Sequence, residues 1–203
     1  MLLVACSVDL PTTVLELHEL AVSPPRADFD HEVRAAEQRV RDHAIPSNPA
    51  CTRLCREFAD ASGPLSCRNQ DLLARVADGH SVPRLNSLTD VFTILSLESQ
   101  IPIGLYDLDK LVGGLEIRAT QPDEWFAGPD QTPIRLRGGL CVADAVGPCG
   151  NLADDALRTA VTADSERAAC VFFLPCAPSL LSRSAEWVAR FGRGLTRVVP
   201  SNP

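Results

Sequence analysis

The stretch PRLNSLTDVFTILSLESQIPIGLYDLDKL, Pro83 to Leu111, decides how the chain is read. Its first half puts Leu88, Val91, Phe92 and Leu95 on one side of a helix running from about Asn86 to Ser99. Pro102 closes that helix region, because proline restricts the residue before it to extended backbone. Gly104 then permits close backbone approach. Asp107 and Asp109 share a face if the segment is extended. A carboxylate pair suits acid–base work or a metal. It equally suits a turn cap plus an ion pair with Lys110 or an arginine, and the spacing alone favours this second use.

Upstream, residues 12–22 (TTVLELHELAV from Thr12) read as a strand, broken by SPPR. A charged helix follows from Asp28 to about Ala44, acidic at its start and basic at its end, as the helix dipole prefers. Ser47 or Asn48 caps the next helix before Pro49, and Cys51, Leu54, Cys55 and Phe58 share its apolar face. Another helix opens at Ser66 and closes at Gly79. Downstream, GGLEIRA, PIRLR, LCVADAV and AACVFFLP are short strands separated by Gly and Pro, and a last helix ends before Gly194. The tail VVPSNP reads as loose. Helices and strands are segregated, which is α+β rather than a βαβ alternation. Residues 1–203 read as one domain, helix-rich over 24–100, strand-rich over 101–176, with a helix over 179–192.

No apolar run is long enough to span a bilayer. The start MLLVAC lacks a basic region and meets Asp9 early, so a cytoplasmic protein is expected. The net charge of −7 comes without a basic cluster, which argues against strong non-specific nucleic-acid binding. The eight cysteines are expected as reduced, mostly buried thiols. Cys51 and Cys55 have ligand spacing for zinc, but no second pair follows, so they are read as core and no metal set is assigned. His18, His31 and His43 lie on a strand or a charged helix; His80 stands in the loop before the quoted stretch. P-loop, Rossmann and nucleophile-elbow patterns are absent.

The segment from Arg84 to Thr120 resembles the central signature of the B3/B4 domain, the editing domain of the β subunit of bacterial phenylalanyl-tRNA synthetase. That pattern is an Asn or Asp, a Val–Asp in an amphipathic helix, a Pro, an aromatic–Asp–x–Asp and a Gly–Gly before a strand. Asn86, Asp90, Pro102, Tyr106, Asp107, Asp109, Gly113 and Gly114 stand in that order here. The flanks resemble free-standing proteins made of this domain. The resemblance implies mixed β-sheets packed with helices around an aminoacyl pocket. It also implies hydrolysis of a misacylated aminoacyl-tRNA or a related aminoacyl ester, with no cofactor.

The chain departs from the family pattern in three places. Gly104 stands where the family has a His, Thr93 where it has a helix Asn, and the late acidic residue falls near Val171. Gly104 is therefore expected to widen the pocket. Thr93, Gly104 and Thr159 are the candidate catalytic residues; Asn86, Ser96, Ile103, Tyr106 and Thr162 are the candidate substrate-binding residues. Three functions remain open: a trans-acting deacylase, a small-molecule enzyme that recruited the aminoacyl pocket for an amino-acid-derived substrate, and a non-catalytic amino-acid or tRNA-binding module.

Overall fold

The computed structural model describes residues 2–57 and 67–199. Two short strands, β1 (Val4–Cys6) and β2 (Thr13–His18), precede four helices: α1 (Asp30–Arg41), α2 (Pro49–Glu57), α3 (Arg68–Ala77) and α4 (Ser87–Ser99). The chain then turns mainly to strands. These are β3 (Ile103–Asp107), β4 (Leu115–Ala119), β5 (Trp125–Ala127), β6 (Pro133–Arg135), β7 (Leu140–Ala143), β8 (Pro148–Asn151) and β9 (Ala168–Phe172). Helix α5 (Pro178–Trp187) and strand β10 (Leu195–Val199) complete the described chain. The fold is α+β, as the element order implies.

Local signals explain the helix ends. Asp30 and Glu32 open α1, while Arg39 and Arg41 close it. The Ala50 and Cys51 N–H groups donate to Asn48 Oδ1 at 3.1 and 3.3 Å, capping α2. The Leu88 and Thr89 N–H groups donate to Asn86 Oδ1 at 3.1 and 2.8 Å, capping α4. Helix α4 stops at Gln100, which is left-handed with φ 58° and donates its N–H to Ser96 O.

The strands form two four-stranded sheets and one hairpin. One sheet runs β1-β4-β7-β8, with β1 parallel to β4. The other runs β10-β2-β9-β3 and is antiparallel throughout. β5 and β6 pair as the hairpin. Helix α4 is buried round most of its circumference, so it is a core helix rather than a surface one. Its Phe92 packs edge-on against Phe172 of β9, with ring centroids 6.2 Å apart. Phe29, Trp187 and Phe191 make a second aromatic cluster, with centroids from 4.6 to 6.5 Å apart.

Two expectations change, and some strands carry no sequence signal. Val198 and Val199 are not loose: they belong to β10, which pairs with β2 from Leu195–His18 to Val199–Val14. Strands β1, β5, β8 and β10 are three to five residues long, too short to show a period in sequence. Cys55 and Cys67 form a disulfide, because the fold brings the end of α2 to the start of α3. Phe58, the Ser66 cap and residues 200–203 lie outside the described residues. Among the described residues, no helix is long and apolar enough to cross a membrane.

Candidate functional site

A cavity of about 450 Å³ opens between α3, α4 and the edge strand β3. Helix α4 supplies one wall. Asn86, Thr89, Phe92, Thr93 and Ser96 recur at helical spacing and all line the cavity. Ile103 and Leu105 line it from β3, Arg68 and Leu72 from α3, and Asp155, Ala160 and Val161 from the segment after β8. The lining is largely apolar and includes Leu85, which is 69% exposed. The volume is in the range of small-molecule sites, and the lining has their mixture of apolar wall and few polar groups.

The polar groups are held from behind. Arg68 is the first residue of α3. It donates Nε–H to Ala153 O and Nη1–H to Asp155 Oδ2, both at 2.9 Å. Asp155 is placed by a tight return of chain over β8. The Ala153 and Asp154 N–H groups donate to Asn151 Oδ1 at 2.8 Å. A Cβ on Gly150 would sit 2.8 Å from Asp154 O and 3.1 Å from the Asp155 Cα, so the return needs glycine there. Burial pushes the Asp155 carboxyl above the usual Asp range, although Arg68 pulls the other way. The lip of the cavity is pinned by Asp90, which is buried. Its carboxylate accepts the Leu85 N–H at 2.9 Å and the Arg84 Nε–H at 2.6 Å, and Arg84 also reaches Asp30 at 2.7 Å.

The sequence-derived residues divide. Asn86, Thr93, Ser96 and Ile103 come together in the cavity lining. Of these, Asn86 has its Oδ1 engaged as the α4 cap, and the Ser96 hydroxyl donates to Ile101 O at 2.7 Å. The Thr93 hydroxyl makes no hydrogen bond among the described residues. Gly104, Tyr106, Thr159 and Thr162 do not line the cavity. Thr159 is buried, with its hydroxyl directed at Cys149 O and Ala156 O, both 3.4 Å away. Thr162 is exposed, and the Lys110 ammonium donates to its hydroxyl at 3.4 Å.

Strand alternation accounts for Gly104 and Tyr106. Ile103 and Leu105 point into the cavity, so Gly104 and Tyr106 point to the opposite side of β3. Tyr106 is fully buried there, which excludes it as a cavity wall. A Cβ on Gly104 would meet the Tyr106 hydroxyl at 2.4 Å and the ring at 2.8 and 2.9 Å. The space that glycine leaves is therefore filled by Tyr106, and the expected widening does not occur. Val171 pairs directly with Gly104 across β9 and shares its face. The Phe173 N–H bonds to Pro102 O, so the bonded pairs along β3 are the even-numbered residues. Gly104 thus spends its N–H on β9, and the N–H groups of Ile103 and Leu105 lie on the unpaired edge.

The two carboxylates of the quoted stretch are structural. Asp107 is buried and accepts from the Asp109 N–H at 2.9 Å, from the Ser165 hydroxyl at 2.6 Å, and pairs with Lys110 at 3.2 Å. Asp109 pairs with Arg167 on the surface. Burial pushes the Cys141 thiol to about 11 and the Cys149 thiol to about 12, the reverse of an activated nucleophile. His80 is exposed and outside the cavity. Sequence reading did not reach Arg68, Leu72, Thr89 and Asp155. Thr89 was findable from the helical period of Asn86, Thr93 and Ser96; the others arrive from distant chain segments.

A family model for the B3/4 domain matches residues 50–177. Among solved structures, the chain is similar to the crystal structure of an N-terminal fragment of the phenylalanyl-tRNA synthetase β-subunit from Pyrococcus horikoshii. The identity is 11% and the TM-score 0.49, over 97% of this chain and 50% of that one. The chain thus spans half the length of that fragment. No curated protein matches it in sequence.

Proposed function

This chain belongs to the B3/4 domain family, and from that premise we propose that it hydrolyses aminoacyl esters, acting in trans on a misacylated tRNA. The observation that carries the reading is the cavity beside β3, where the Arg68–Asp155 ion pair and the Thr93 hydroxyl, unbonded among the described residues, stand in a largely apolar lining. The aminoacyl side chain occupies the apolar part against Leu72, Phe92 and Val161. A water held by Thr93 adds to the ester carbonyl carbon. Its proton passes to the Asp155 carboxylate, whose raised basicity suits a general base. The N–H groups of Ile103 and Leu105 receive the developing oxyanion. The bond to the ribose oxygen breaks, and that oxygen takes the proton from Asp155 and leaves as a hydroxyl. Thr159 acts by positioning, tying the segment that carries Asp155 to β8.

Deacylation of a panel of charged tRNAs tests this. Turnover above buffer is expected for at least one member, with Asp155→Asn lowering kcat on the order of 10²-fold or more. No turnover with any charged tRNA removes the tRNA reading. A second reading has its own support. The net charge of −7 and the exposed apolar Leu85 in the cavity lining suit a small amino-acid-derived ester better than a polyanion. It predicts turnover of small aminoacyl esters that tRNA does not inhibit.

A further inference from the structure

We propose that Cys51, Cys55 and Cys67 form a binding site for one thiophilic metal ion of the zinc(II) class in the reduced protein. The three sulfurs lie within 4.8 Å of one another and all three residues are buried. Cys51 and Cys55 stand one turn apart on α2, which puts their thiols on one face. Cys67 is the capping residue of α3 and brings the third sulfur from the other side. Zinc–sulfur bonds of about 2.3 Å at tetrahedral angles require sulfurs about 3.8 Å apart. The Cys51 and Cys55 sulfurs are 3.9 Å apart. Once Cys55 and Cys67 are reduced, their sulfurs need only separate to the same distance.

The surroundings are those of a built site. Asn69 is fully buried, and its side-chain amide donates to the Cys51 sulfur at 3.4 Å. Such a donor to a ligating sulfur is what an outer shell supplies. Three protein thiolates leave a fourth position for water or an added thiol. The ion would tie α2 to α3 at the same point as the disulfide does. The next residue after Cys67 is Arg68, so the site anchors the helix start that carries the charged wall of the cavity.

The test uses the full chain, stripped of metal and held reduced with a phosphine. Cobalt(II) is the optical probe and zinc(II) the competitor. One equivalent of cobalt is expected, with sulfur-to-cobalt absorption in the near ultraviolet that zinc abolishes. Zinc should also protect three thiols from a disulfide reagent. Cys51→Ser should lose most of the affinity, Asn69→Ala about tenfold of it, and Cys6→Ser none. Cys51 is not part of the disulfide, so its variant decides the matter even if Cys67→Ser does not fold. Failure of the reduced, folded wild type to take up cobalt, or uptake by Cys51→Ser equal to wild type, overturns the proposal.

Discussion

Gly104→Ala separates two accounts of the same residue. If Gly104 faces a ligand, an added methyl blocks the cavity and leaves stability nearly untouched. The structure places that methyl against Tyr106, 2.4 Å from its hydroxyl oxygen and under 3 Å from two ring carbons. Tyr106 has no exposed surface into which it can swing. Overpacking of this kind costs about 1–3 kcal/mol. The gain from restricting the unfolded chain offsets about 0.4–1 kcal/mol, so a net loss of about 1–2 kcal/mol is expected. Tyr106→Phe removes the nearest atom. Its hydroxyl is buried, makes no hydrogen bond of ordinary geometry, and lies close enough to the Asp155 carboxylate to pull its pKa down, so that change alone should cost less than about 1 kcal/mol. The double variant should recover much of the loss, giving a coupling energy of about 1 kcal/mol. Urea denaturation of the four proteins measures it. A stability change below about 0.3 kcal/mol in Gly104→Ala, accompanied by loss of ester turnover, would refute the strand-face argument.

Asn86→Ala and Ser96→Ala should each cost about 1 kcal/mol in urea denaturation, through loss of the α4 cap and of the buried hydroxyl bond to Ile101 O; Thr93→Val should leave stability within about 0.5 kcal/mol and act on turnover instead. Burial raises the Asp144 carboxyl, but Arg158 and the Val112 and Val146 N–H groups outweigh it and leave its pKa at about 2. A folded pKa below the unfolded value of 3.8 stabilises above that value, so about 2 kcal/mol should be lost as pH falls from about 4 to 2, and Asp144→Asn should lack this loss. In the absence of metal, reduction of Cys55–Cys67, which closes a separation of 12 residues, should lower stability by about 3 kcal/mol in the chain-entropy model. Thermal unfolding with and without a phosphine reads that difference.

Much of the fold was legible before any coordinates. The α4 stretch carries its cap at Asn86, its apolar side at Leu88, Val91, Phe92 and Leu95, and its stop before Pro102; each is a short-range signal. The α+β order was legible on the same grounds, and so was the use of Asp107 and Asp109 as a turn cap and an ion pair, though not which residue does which. Spacing along the chain specifies what a residue does to its near neighbours.

What tertiary structure alone decided concerns faces and partners far apart in sequence. A strand has a period of two, so a one-residue offset moves Gly104 and Val171 to the far side of β3 and β9 from the cavity, and no local signal fixes that choice. Arg68 meets Asp155 across 87 positions, and Cys67 joins Cys51 and Cys55 only because α3 docks on α2. Burial then sets their chemistry, raising the Asp155 carboxyl within the cavity wall. Desolvation depends on which segments pack together, and that is a property of the folded chain rather than of any stretch within it.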